Sequence, residues 1–123
     1  MKPPSTPTVY GIPNCDTVKK ARNWLSDNGV AYQFHDVKKA GVPDDALSHW
    51  LNTSDWEVLV NRKGTTWRKL DPARQASVTD AASAAALLRE FPSVIKRPVV
   101  HWSDGTVSVG FSPAQFEAHH GAK

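Results

Sequence analysis

The sequence predicts an α/β domain built on a mixed β-sheet, and three observations carry that prediction. The N-terminal part reads strand, helix, strand, a βαβ unit whose two strands should lie parallel with a right-handed crossover. Near the C-terminus, "RPVVHWSDGTVSVGF" gives two β-rich runs around "SDG", which reads as an antiparallel hairpin. Between them lie helical signals, so the order is β α β, an inserted helical segment, then β β α.

Each element has its own warrant. "TPTVYGI" is short, β-branched and aromatic, as a strand should be. From Asp16 the period changes: Val18, Ala21, Trp24 and Leu25 recur at helical spacing, while Lys19, Lys20, Arg22 and Asn23 take the opposite face. "DNG" ends that helix, with Gly29 suited to the left-handed C′ position. "VAYQFHDV" alternates Tyr32 and Phe34 with Gln33 and His35 and predicts the second strand. "VPDDALSHWL" places Pro43 in a first helical turn with Asp44 and Asp45 behind it, and Leu47, Trp50 and Leu51 form its apolar stripe. "SDWEVLVNRKGTTWRKL" predicts one short turn from Trp56 to Val60 and then loop. "TDAASAAALLREFP" is a helix by propensity, capped by Thr79 or Asp80 and stopped at Pro92. "SPAQFEAHH" opens with Ser112, Pro113 and Gln115, the spacing of a capping box, and starts a final short helix. Thioredoxin-like folds have this order of elements.

Composition narrows the setting. With 40% apolar and 22% charged residues the chain is globular, and residues 7–123 suffice for a single domain behind a loose tail at 1–6. The net charge of +3 and pI near 9.2 suit an anionic small molecule or an acidic protein surface. Lys and Arg are spread along the chain without a long run, so nucleic acid is not expected as a partner. The opening residues hold no apolar h-region, and no apolar run approaches the roughly 18 residues of a membrane span. The expectation is a soluble protein of the reducing cytoplasm with no membrane partner. The five histidines show no ligand spacing, and no metal is expected.

Cys15 is the one cysteine of the chain, and it falls at the join of the first strand and the first helix. Parallel-sheet folds bind ligands at this end of their strands. Unpaired N–H groups point to that spot and the helix dipole favours negative charge there, so a thiol that ordinarily titrates near about pKa 8.5 should ionise more readily. Lys19, one turn on, can reach back toward the sulfur, while the neighbouring Asp16 opposes it. A lone thiol can attack a substrate and form an adduct but cannot resolve it, so the second thiol must come from glutathione or another protein. "NRKG" supplies Arg62 and Lys63, and "IKRP" supplies Lys96 and Arg97 directly before Pro98. If both segments reach Cys15, their guanidinium forks make an anion site beside the nucleophile. Trp67, in "GTTWR", is a candidate lining residue.

"YGIPNCDTVKKARNWL", "DWEVLVNRKGTTWRKL", "IKRPVV" and "VGFSPAQF" together resemble the arsenate reductase ArsC family and its Spx relatives, most of all the YffB-type branch. The resemblance runs from about Val9 to Phe116. It implies a thioredoxin-like fold, a nucleophilic Cys15, anion-binding Arg62 and Arg97, and Pro98 as the cis-proline set beside the active cysteine. It further implies a glutathione-dependent thiol reductase, with glutathione as co-substrate and glutaredoxin or an oxidised protein as further partners. Two alternatives come with the family: an arsenate reductase using glutathione and glutaredoxin, and a non-catalytic, Spx-like regulator binding RNA polymerase. The sequence departs from the arsenate reductases in three places. Gly11 stands where they carry a histidine, "DTVKK" replaces a small-residue stretch and arginine so that Lys19 is the nearest match, and Gly110 or Phe111 stands where a third arginine is expected. Val18 occupies the second position of the CxxC switch usual in Spx proteins.

Overall fold

The computed structural model describes residues 6–121. The tail expected at 1–6 lies outside them except for Thr6. The described chain forms two compact units, residues 6–40 with 97–121, and the intervening segment Gly41–Lys96.

The first unit holds the sheet. Strand β1 (Thr8–Gly11) leads through a turn to helix α1 (Asp16–Asp27) and strand β2 (Gln33–Asp36). A one-turn helix α2 (Val37–Ala40) follows, then after the inserted segment β3 (Val99–His101), β4 (Val107–Val109) and helix α8 (Pro113–Gly121). The strand order is β2-β1-β3-β4. β1 pairs parallel with β2, Val9 opposite Phe34, and antiparallel with β3, Val9 opposite Val100. β3 pairs antiparallel with β4. This is the mixed sheet of a thioredoxin-like fold.

The register sets the core. Val9 and Val100, side by side, meet Ala21 and Leu25 of α1, Trp102 after β3 and Phe116 of α8 in one buried cluster. The Phe116 ring stands edge-on to Trp102 at 5.1 Å and to Phe111 at 4.7 Å between centroids. α1 ends in a Schellman motif: Gly29 takes φ +68°, its N–H donates to the Ser26 carbonyl, and the Val30 N–H donates to the Leu25 carbonyl at 2.8 Å. Ser112 accepts the Gln115 N–H at 3.1 Å, but the Gln115 amide donates to the Val109 carbonyl, so half of the expected capping box forms. The hairpin turns through Gly105 at φ +90°, where Asp104 accepts from the Thr106 N–H and hydroxyl.

The segment Gly41–Lys96 carries helix α3 (Asp44–Thr53), short helices α4 (Trp56–Leu59), α5 (Thr65–Arg68) and α6 (Pro72–Ala76), helix α7 (Ala81–Glu90) and a 3₁₀ turn, Pro92–Val94. Leu47, Trp50, Leu59, Leu87, Leu88 and Ile95 are fully buried. Pro43 is the N-cap of α3, one position earlier than its sequence place in the first turn. Asp80 caps α7, and Ser83 completes a capping box. α5 corrects the expectation of loop after Val60, and α6 lies beyond that stretch, where the sequence carries no assignment. Their starts, Gly64 and Asp71-Pro72, are cap signals within runs too short for apolar periodicity to register.

The buried indole N–H of Trp102 donates to the Ser108 hydroxyl at 2.9 Å. Ser108→Ala strands that donor in the core and should cost about 1–3 kcal/mol of unfolding free energy, read from the urea midpoint at unchanged m-value. Adding Trp102→Phe, which removes the stranded donor, should make the double variant less destabilised than the sum of the two singles.

Candidate active site

The chain leaves β1 at Gly11 and folds through "IPNC", where the Cys15 N–H donates to the Ile12 carbonyl at 3.2 Å and Pro13 takes the second position of the turn. Cys15 is the N-cap of α1, with extended backbone, and its carbonyl accepts the Lys19 N–H at 2.9 Å. Its thiol is free and half-buried.

Several forces meet on that sulfur. Partial burial is the largest and raises the thiol's pKa; the Val18 N–H, the Arg97 guanidinium by hydrogen bond and by charge, and the Thr17 N–H together overcome it. The result is a pKa lowered from the ordinary thiol value. The N–H contributions are loose: Cys15 makes no capping hydrogen bond of good geometry through its side chain, as suits donors that face a thiol and tighten on a thiolate.

Arg97 arrives through the sheet. β3 starts two residues later, at Val99, which pairs with Tyr10 next to the end of β1. The Arg97–Pro98 peptide bond is cis, and the Pro98 carbonyl accepts the Gly110 N–H at 2.8 Å. Cys15, Arg97 and Pro98 are therefore brought together. Lys19 is not among the strongest influences on the sulfur. Its side chain lines a surface depression with Arg22, Asn23, Ser26 and Tyr32.

Arg62 belongs to the inserted segment and is described within it. Its guanidinium lies 5.6 Å from the Trp56 ring centre and 6.0 Å from that of Trp67, with Glu57 at 3.8 Å. It lines an open depression of about 310 Å³ with Asn61, Lys63 and Lys96 among its neighbours. Asn61 anchors the turn: its N–H donates to the Val94 carbonyl, its carbonyl accepts the Gly64 N–H and its side chain accepts the Lys63 N–H. Trp67 therefore flanks a cation, and Lys63 and Lys96, the other basic residues of "NRKG" and "IKRP", line the same depression as Arg62.

The departures at positions 11 and 18 fit each other. A Cβ at Gly11 would lie 2.9 Å from Val18 Cγ2 and 3.2 Å from Cγ1. Val18 is fully buried, so its isopropyl group fills the space that a side chain at position 11 needs.

A four-stranded mixed sheet with a single free cysteine at the start of its first helix, in reach of the Arg97 guanidinium, defines a thioredoxin-fold protein with one thiol. The ArsC family model matches residues 10–119, and the chain belongs to that family. An uncharacterized protein of Haemophilus influenzae is 41% identical over 90% of this chain and 96% of its own length. The structure of a YffB protein superposes with TM-score 0.86 at 46% identity, covering 93% of this chain and 98% of that one. That of an arsenate reductase (ArsC) related protein from Brucella melitensis does so with TM-score 0.71 at 51% identity, covering 94% of each. The global transcriptional regulator Spx of Streptococcus mutans is 25% identical over 90% of this chain and 80% of its own length.

Gly11→Ala should destabilise the fold by about 1–3 kcal/mol through overpacking against Val18. Val18→Ala in the same chain makes room, and a double-mutant cycle should give a coupling free energy favourable to the pair by about 0.5–3 kcal/mol in urea unfolding.

Proposed function

We propose that this protein is a glutathione-dependent thiol–disulfide reductase of the cytoplasm, and that Cys15 is its nucleophile. One observation carries the reading: the half-buried Cys15 thiol has its pKa lowered by Arg97 and by two N–H groups of the first turn of α1. A depressed thiol pKa raises the thiolate fraction near neutral pH, and the thiolate is the attacking species.

The cycle needs one sulfur of the protein and two external thiols. The Cys15 thiolate attacks a substrate disulfide; a new S–S bond forms, the old one breaks, and one substrate half leaves as a thiolate. A glutathione thiolate attacks the Cys15 sulfur and releases the other half. A second glutathione attacks the Cys15–glutathione disulfide, restoring the Cys15 thiolate and leaving as glutathione disulfide. The substrate disulfide is reduced by two electrons and two glutathiones are oxidised. Arg97 holds the thiolate, the Pro98 segment lies beside it for the tripeptide backbone, and Arg62 is the candidate for a carboxylate. Lys19, one turn from the sulfur, is retained as a cation for the substrate side. Glutaredoxin or an oxidised protein would be the partner disulfide.

Reduction of arsenate fits less well. Gly11 and the Gly110-Phe111 pair stand where that chemistry places a histidine and a third arginine. The similarity to Spx favours one further reading, a regulator that binds RNA polymerase without catalysis. A Cys15→Ser variant separates the two, since a pure binding role survives it.

Alkylation of Cys15 by iodoacetamide should rise with pH through a midpoint below that of free cysteine, because the folded thiol's pKa is lowered. Arg97→Gln removes a stabiliser of the thiolate and should move the midpoint upward, slowing alkylation at neutral pH. Mass spectrometry after addition of oxidised glutathione should show a mixed disulfide at Cys15 and none in Cys15→Ser. A wild-type midpoint at or above the free value, with no mixed disulfide, sinks the proposal.

A further inference from the structure

Arg22 is held by two aromatic side chains. Its guanidinium carbon lies 4.3 Å from the Phe34 ring centre and 5.9 Å from that of Tyr32, and its Nε donates to the Tyr32 hydroxyl at 3.0 Å. Among the described residues no carboxylate pairs with it, whereas Arg62, Arg74 and Arg89 each meet an acid. A half-buried guanidinium held this way keeps the rest of its donor fork for an oxygen anion at little further ordering cost.

Arg22 lines a depression of about 290 Å³ with Lys19, Asn23, Ser26 and Tyr32. Lys19, Arg22, Asn23 and Ser26 fall at i, i+3, i+4 and i+7, one face of α1, and one turn back from Lys19 on that face is Cys15. At a rise of about 1.5 Å per residue the face runs roughly 16 Å from Cys15 to Ser26. Helical Cα–Cβ bonds tilt toward the N-terminus, so Lys19 and Arg22 lean toward the sulfur's end. Among the described residues two cations, two hydroxyls and an amide line the depression, and no acid does.

The geometry points to this face of α1 as the docking track for an acidic segment of the protein disulfide that Cys15 attacks. The inference rests on the thiol-reductase reading and adds the partner's chemistry to it. Charge complementarity selects an acidic partner. The polar, elongated track suits an extended chain, which at about 3.3 Å per residue covers it with roughly five residues. A glutamate or aspartate within that distance of the reacting cysteine would meet Lys19 or Arg22. The exchange is unchanged: the Cys15 thiolate bonds to the peptide's sulfur, the original S–S bond breaks, and the other half departs as a thiolate.

The test uses three peptides of equal length, each with one cysteine as a disulfide to 2-thiopyridine and flanked by glutamate, glutamine or lysine. The rate of thiopyridone release is followed with the full-length protein, and exchange with glutathione disulfide is measured in parallel. The glutamate peptide should react about tenfold faster than the glutamine peptide at low ionic strength, with the advantage shrinking as salt is added. Ser26→Glu and Lys19→Gln, both at exposed positions, should each cut that ratio several-fold. Lys38→Gln, a change of net charge equal to that of Lys19→Gln at an exposed position of α2, should leave it unaltered. Exchange that proceeds with a glutamate-to-glutamine ratio near one, or a ratio that Lys38→Gln lowers as much as Lys19→Gln, overturns the docking track and leaves the reductase reading standing. No exchange with any peptide or with glutathione disulfide overturns both.

Discussion

The first turn of α1 must favour an anion at a place that water only partly reaches. Burial works against the Cys15 thiolate, and it is the largest single influence on that thiol. What reverses it is a set of donors that the backbone has already ordered: the N–H groups of Thr17 and Val18, which have no helical acceptor at this end of α1, and the Arg97 guanidinium. The two sources are placed differently, one by the local chain and one by the sheet. The N–H groups point at the sulfur because "IPNC" closes a turn and starts the helix there. Arg97 reaches it because β3 pairs with β1 in a register that sets Val99 opposite Tyr10.

The same constraint accounts for the packing around it. Val18 offers its N–H to the sulfur and its side chain to Gly11, so one residue both supports the thiolate and closes the floor of the helix start. The departures from the arsenate reductase pattern at the strand end are thus linked by a steric fact rather than being separate substitutions. In the inserted segment Arg62 is fixed differently, between two indoles and against Glu57, beside the side chains of Lys63 and Lys96. An exposed ion pair of this kind adds little stability.

Much of this was legible in the residues. The strand, helix and hairpin signals gave the mixed sheet because Val9, Ala21, Leu25 and Phe116 bury themselves at the periods that their elements demand. Gly29 reads as a helix stop and adopts the left-handed conformation that makes it one. The junction cysteine and the residues before Pro98 were legible for the same reason, since a strand-to-helix join and a strand start are marked by composition. What stayed hidden depends on tertiary placement or on very short runs. α5 and α6 have four and five residues, too few for an apolar repeat. Lys19 has the spacing to reach Cys15, but the depression it lines also includes Tyr32, just before β2, and spacing along one helix carries no information about that neighbour. Arg22 went unmarked because its partners, Tyr32 and Phe34, are ten and twelve residues away and meet it only once β2 lies beside β1.

Val18, three residues beyond the only cysteine, presents an isopropyl group where a second thiol would close an internal ring. Each oxidised molecule on the proposed cycle must then carry a passenger, and two partners cannot occupy that atom at once. Departure of the first has to precede arrival of the next, which is the ordering of a double-displacement reaction. On that cycle, how long the protein stays loaded would be set by the abundance of small thiols in its surroundings rather than by any reducing power stored within the fold.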